Sequence, residues 1–154
     1  MDGGGTEPRT VLIDCDPGHD DAIALLLALA RPEWHVEAVS IVAGNTTLTN
    51  AVRAATQVLT VADRTEVPVR AGMDAPLARP LRTAAHVHGE SGLEGPVLPE
   101  PAVVPRPEHA VAFLVERLGR ARDEGRPVEV AATGPLTNLG AALRRDPTLA
   151  HGIS

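Results

Sequence analysis

The chain contains no lysine and no tyrosine, one cysteine, and only two large aromatic residues, Trp34 and Phe113. A single cysteine excludes an internal disulfide framework and is compatible with a reducing, cytoplasmic compartment. That residue, Cys15, lies inside an apolar run, which favours a small buried side chain over a nucleophile. Two aromatics are too few for a base-stacking platform. A net charge of -6 lacks the basic footprint that phosphate backbones require, so no nucleic-acid partner is expected. All 14 basic residues are arginine, which reflects coding composition and not function. Long apolar runs are missing too. The longest helical one, Ala22 to Ala30, is nine residues, against the roughly 20 that span a membrane, so no membrane partner is expected. The N-terminus, "MDGGGTEPRT", has no basic start followed by an apolar stretch and is not a secretory signal. Residues 1–9 are read as a flexible tail, and residues 10–154 as the folded portion.

What is present fits one soluble domain. A chain of 154 residues with 44% hydrophobic and 22% charged residues has the size and composition of a single core. At that length a fold buries roughly 68–70% of the surface its unfolded chain exposes.

Strand and helix signals alternate. Thr10 to Asp16 is a β-branched apolar run closed by Pro17-Gly18, which predicts a buried strand and a tight turn. Good helix formers then run from Asp20 to Ala30 and stop at Arg31-Pro32. That helix is apolar nearly all round and is expected to be well covered. Val36 to Ala43 predicts a second strand, followed by a helix that Thr46 or Thr47 would cap. Val67 to Gly72 predicts a third strand. Residues 73–106 are rich in Pro and Gly and predict a long loop. A helix over Pro107 to Glu124, a strand over Pro127 to Thr133 and a helix over Leu136 to Arg145 complete the pattern. Continuous apolar strands alternating with helices predict an α/β fold: an open, mostly parallel sheet with helices on both faces. Such sheets bind ligands beyond the carboxyl ends of their strands. Asp14 and Asp16 end the first strand, Asn45 follows the second, and Thr133 ends the fourth, so polar groups converge on one rim.

The stretch "DCDPGHDD", Asp14 to Asp21, sets four carboxyl groups in eight residues at the seam between two apolar elements. Asp20 and Asp21 open a helix, where the macrodipole favours acids by ~0.3–1 kcal/mol each. That accounts for one or two of the four charges. Carboxylate and carbonyl oxygens without nearby Cys or His pairs suit Mg²⁺ or Ca²⁺ and not zinc. His19, flanked by acids, reads as an exposed turn residue in preference to a metal ligand, and Asn138 as a polar helix-start residue. His86 reads as a loop surface residue or equally a contact, and His109 and His151 as solvated helix-surface or tail residues.

"DCDPGHDDAIA", "VAGNTT", "HVHGESGL" and "ATGPLTNL" together resemble, in order and spacing, the inosine-uridine preferring nucleoside hydrolase family. The resemblance runs from about residue 10 to the end. It implies a Rossmann-like fold, hydrolysis of the N-glycosidic bond of ribonucleosides to base and ribose, and a bound Ca²⁺. It implies that Asp16, Asp21 and the backbone carbonyl of Thr133 hold the metal, and that Asp16 is the general base for a metal-bound water. Asp20 and Asn45 would contact the ribose, and His88 would lie by the nucleobase with a catalytic role. Asp14 would support the site. Homo-oligomers, dimers or tetramers, are also implied. Family chains run to about twice this length and carry further site residues in their second half. The chain is therefore expected to be an N-terminal portion, truncated at its C-terminus, with weak or absent turnover by itself.

Two other readings compete. An apolar strand ending in D-x-D also opens haloacid-dehalogenase-type phosphatases, with Asp14 as nucleophile and Asp16 as acid. That family usually has Thr or Val where this chain has Gly18, and it leaves Asp20 and Asp21 without a role. The second alternative is a non-catalytic truncated paralogue that binds calcium or nucleoside.

Overall fold

The computed structural model describes residues 7–154. Of the tail expected over residues 1–9, residues 1–6 lie outside the described residues, and Arg9 already belongs to the first strand. Four strands form a parallel sheet: β1 (Arg9–Cys15), β2 (Trp34–Ile41), β3 (Val69–Ala71) and β4 (Glu129–Ala132), in the order β3-β2-β1-β4. The connecting helices are α1 (His19–Ala30), α2 (Leu48–Val61), α3 (Ala85–His88), α4 (Ala110–Asp123) and α5 (Thr137–Arg145). A 3₁₀ segment over Pro147–Gly152, absent from the sequence expectation, follows α5.

Alternation along β1 divides the core into two layers, because successive strand side chains face opposite sides of a sheet. Val11, Ile13 and Cys15 pack with Leu25 and Leu29 of α1 and Leu59 of α2. Leu12 faces the other way, toward Leu114 and Leu118 of α4 and Ala142 of α5. Helices therefore cover both faces, as expected. One expectation about α1 fails: Ile23 and Leu27 are 65% and 58% exposed, so its apolar circumference is only partly covered.

Element ends follow local chemistry. The Thr47 hydroxyl caps α2 by accepting from the Asn50 backbone N–H at 3.4 Å. Helix α4 starts three residues later than Pro107, because His109 Nδ1 takes the cap, accepting from the Val111 N–H at 3.2 Å. The stretch 73–106 is irregular apart from the single turn of α3.

The chain order fixes where a ligand can enter. From β1 the chain moves outward through β2 to β3, with α1 and α2 on one face. It then returns past β1 to β4, with α4 on the other face. The strand order thus reverses between β1 and β4, and the carboxyl ends of those two strands flank a crevice of the kind open α/β sheets use for ligands.

Candidate active site

Asp14 is the last acid inside β1, 1% exposed, on the α5 side of the sheet. Its Oδ1 accepts from Asn138 Nδ2 at 2.8 Å, while its Oδ2 is buried with no partner among the described residues. Burial pushes the Asp14 carboxyl up to about 7, opposed by the Asn138 hydrogen bond and reinforced by the charge of Asp16. Asn138 is fully buried and works in three directions. It also donates to the Ile41 carbonyl at 3.2 Å and accepts from the Met73 N–H at 2.8 Å. So Asn138 is not merely a polar helix-start residue: it ties α5 to β1, β2 and the segment after β3. A signal for it existed in the sequence. A buried acid at a strand end needs a donor, and Asn138 stands just past the end of the neighbouring strand.

Asp16 follows β1 and is 5% exposed. Its Oδ2 accepts from the Asn45 N–H at 2.7 Å, and its backbone carbonyl accepts from Asn45 Nδ2 at 3.1 Å. The same Nδ2 reaches Asp21 Oδ2 at 3.3 Å, so one amide from the β2 end spans both acids. Asp21, buried in the first turn of α1, also accepts from Thr133 Oγ1 at 2.5 Å. The Asp16 carboxyl is pushed up to about 7, chiefly by burial, partly offset by the Asn45 N–H and raised again by Asp21 and Asp20. Two glycines make this approach possible. A Cβ on Gly44 would strike the Asp16 carboxylate, and one on Gly134 would stand 2.9 Å from Asp16 Oδ1.

The crevice thus joins Asp16, Asp21, Asn45 and Thr133 directly, from the ends of β1, α1, β2 and β4. Asp20 is exposed beside them and is felt through its charge at Asp16, without a hydrogen bond to the group. His88, at the end of α3, is 9% exposed and meets His19 from the start of α1. His19 is exposed, yet both its ring nitrogens are engaged, which the reading of it as a plain turn residue missed. Asp14 is sealed against Asn138 and does not face the crevice as a phosphatase nucleophile would have to.

The donor set is all oxygen. Among the described residues no three His, Cys, Asp or Glu side chains converge as a complete metal set. Two carboxylates, Asp16 and Asp21, held together by Asn45, are oxygen donors of the kind that fit a hard cation completing its shell with water and ligand oxygens. Burial raises Asp16 most, and the charges of Asp21 and Asp20 raise it further; a cation beside the two carboxylates would offset both effects. Among the described residues no helix is long and apolar enough to cross a membrane.

A parallel α/β sheet whose switch point gathers carboxylates and amides belongs to the class that binds ligands in the crevice beyond its strand ends. Comparison with known proteins narrows the class. The chain belongs to the inosine-uridine preferring nucleoside hydrolase family, which it matches over residues 11–154. It is 50% identical over 135 residues to the pyrimidine-specific ribonucleoside hydrolase RihA of Photobacterium profundum, covering 88% of this chain and 43% of that protein. A solved plant nucleoside hydrolase superposes with a TM-score of 0.83 at 36% identity, over 95% of this chain and 46% of that one. A purine-preferring ribonucleoside hydrolase from Gardnerella vaginalis superposes with a TM-score of 0.85 at 26% identity, over 94% of this chain and 46% of that one. The chain spans less than half the length of the curated relatives it matches.

Proposed function

We propose that the protein hydrolyses the N-glycosidic bond of ribonucleosides, releasing free base and ribose, and that residues 10–154 form the N-terminal portion of the hydrolase domain. The observation that carries the reading is the meeting of Asp16, Asp21, Asn45 and Thr133 at the switch point of a chain that belongs to this family. Asp16, Asp21 and the Thr133 carbonyl would hold the metal, taken as Ca²⁺. When bound, that ion supplies charge neutralisation and a more acidic water. Asp16 accepts the proton of the attacking water as its oxygen bonds to the anomeric carbon and the bond from that carbon to the base nitrogen breaks. Departure of the base leaves positive character on the sugar, which the nearby carboxylates stabilise. Asp20 and Asn45 bind ribose hydroxyls, His88 lies against the nucleobase as the second catalytic group, and Asp14 supports Asp16 from beneath.

Pyrimidine nucleosides are the first substrates to test, because relatives at about half identity carry that specificity in their names. On the family resemblance alone, we extend the reading to a cytoplasmic salvage enzyme acting as a dimer or tetramer. The test is ribose release from uridine, cytidine and inosine, with and without a chelator, alongside calorimetric titration with Ca²⁺. Residues 1–154 by themselves are expected to bind Ca²⁺ and to release ribose slowly or not at all. In a protein that carries the whole hydrolase domain, chelator-sensitive ribose release is expected, with Asp16→Asn lowering turnover by roughly 10²–10⁴-fold, the span general bases contribute. No ribose above the spontaneous rate and no Ca²⁺ binding would overturn the proposal.

A further inference from the structure

The long stretch between β3 and α4 does not hang free. Its second part, residues 90–102, lies along α2 and is gripped there by one polar stripe. Asn50, Arg53, Gln57 and Thr60 follow one another at steps of three, four and three residues, which sets them on one face of the helix. Each holds a different point of the strap. Asn50 Nδ2 donates to the Glu90 carbonyl at 2.9 Å, and Arg53 pairs with Glu100 at 2.9 Å. Gln57 Nε2 donates to the Pro99 carbonyl at 3.0 Å, and Thr60 Oγ1 accepts from the Ala102 N–H at 3.0 Å. Leu93 and Val103, both buried, peg the strap into the core below.

The crevice end of this stripe also fixes α3. Just before that single turn, the Ala84 N–H donates to the Asn45 carbonyl at 2.9 Å. Just after it the chain bends at Gly89, whose φ of 76° lies in the left-handed region, and brings the Glu90 carbonyl back to α2. That carbonyl takes two donors: Asn50 Nδ2 and, at 3.3 Å, the Thr46 hydroxyl. A carbonyl oxygen only accepts, so the amide nitrogen of Asn50 is the end that faces it. Both anchors of α3 thus come from residues 45–50, the same turn whose Asn45 amide spans Asp16 and Asp21. His88, the last residue of α3, is set between the two anchors. Its Nδ1 accepts from the His19 backbone N–H at 3.2 Å, and its carbonyl accepts from the Glu94 N–H at 3.1 Å. The ring closes over Gly18, where a Cβ would stand 2.7 Å from His88 Cε1 and 2.8 Å from Asn45 Nδ2.

We propose that Asn50 is a positioning residue: through the Glu90 carbonyl it fixes the end of α3, and so the place of the His88 ring beside Asn45. The consequence for nucleosides rests on the hydrolase reading above; the anchoring does not. Amide hydrogen exchange and ring ¹H–¹³C spectra of the 154-residue protein test the anchoring directly. Asn50→Leu keeps the size of the half-buried side chain and leaves the Glu90 carbonyl with Thr46 alone. It should speed exchange of the Glu94 amide about three- to tenfold, the span of one hydrogen bond, and move the His88 ring signals. Asn50→Gln, which keeps the amide on a longer stem, should recover part of both. Gln57→Leu, which releases the same strap farther from α3, should leave both as in the wild type. A Glu94 amide and a His88 ring unchanged in Asn50→Leu, or changed equally in Gln57→Leu, overturn the proposal. In a protein that carries the whole hydrolase domain, Asn50→Leu should lower kcat/KM for uridine by about the same three- to tenfold. That loss should vanish in a His88→Ala background, and an equal loss there overturns positioning through His88. Exchange and ring spectra that respond as expected, in a domain that hydrolyses no nucleoside, support the anchor and overturn the hydrolase reading.

Discussion

Replacing Asn138 by leucine keeps nearly the same side-chain shape and removes every hydrogen bond it makes. The Ile41 carbonyl is not orphaned, since the Gly72 N–H still donates to it at 2.8 Å. The Met73 N–H loses its acceptor, and the Asp14 carboxyl loses the only partner it has among the described residues. Each buried group left unpaired costs about 1–3 kcal/mol, more when it is charged. The total is about 3–5 kcal/mol against the 5–15 kcal/mol typical of a domain. The loss should also depend on pH. Asp14 in the folded protein sits at about 7, against an ordinary 3.8, because it is buried. Between those values the folded state keeps a proton that the unfolded state releases, so stability falls as pH rises through that window. Asn138 opposes this by favouring the charged form. Its removal therefore costs more at pH 8, where Asp14 must be ionised, than at pH 5, where it can stay protonated. Urea denaturation followed by circular dichroism, with a chelator present at both pH values, reads the difference. With slopes of about 1–3 kcal/mol per molar urea, the pH 8 midpoint should drop by roughly 1–5 M. A loss below about 1 kcal/mol that is equal at the two pH values would refute the reasoning.

Two further substitutions probe the crevice. Gly44→Ala drives a methyl into the Asp16 carboxylate and should cut hydrolysis by about 10²-fold, the scale of a roughly 1 Å misplacement of a reacting group; steady-state ribose release checks this, and retained activity would mean Asp16 is not where the chemistry occurs. Thr133→Val deletes the hydroxyl that donates to Asp21 Oδ1 while keeping the backbone carbonyl. It should cost about 1.5–3 kcal/mol in denaturation, the range for a bond to a charged acceptor, and leave Ca²⁺ binding measurable by calorimetry.

The order of elements was legible in the sequence because each run carries its own period and its own stop signal. Arg31-Pro32 ends α1, the threonines before Leu48 cap α2, and the apolar strands announce a sheet covered on both faces. The carboxylate cluster at Asp14 to Asp21 was equally plain, since four charges at the seam of a core demand compensation. Sequence neighbours, however, say nothing about partners 69 or 124 positions away. Only the fold brought His88 to the amide of His19, and Asn138 to Asp14. The tertiary structure also split the acids by environment: Asp14 sealed under α5, Asp16 and Asp21 bridged by Asn45, Asp20 left in solvent. The physical reason is the strand order. Reversal between β1 and β4 opens the crevice where it does, and periodicity along a chain carries no information about which strands become neighbours.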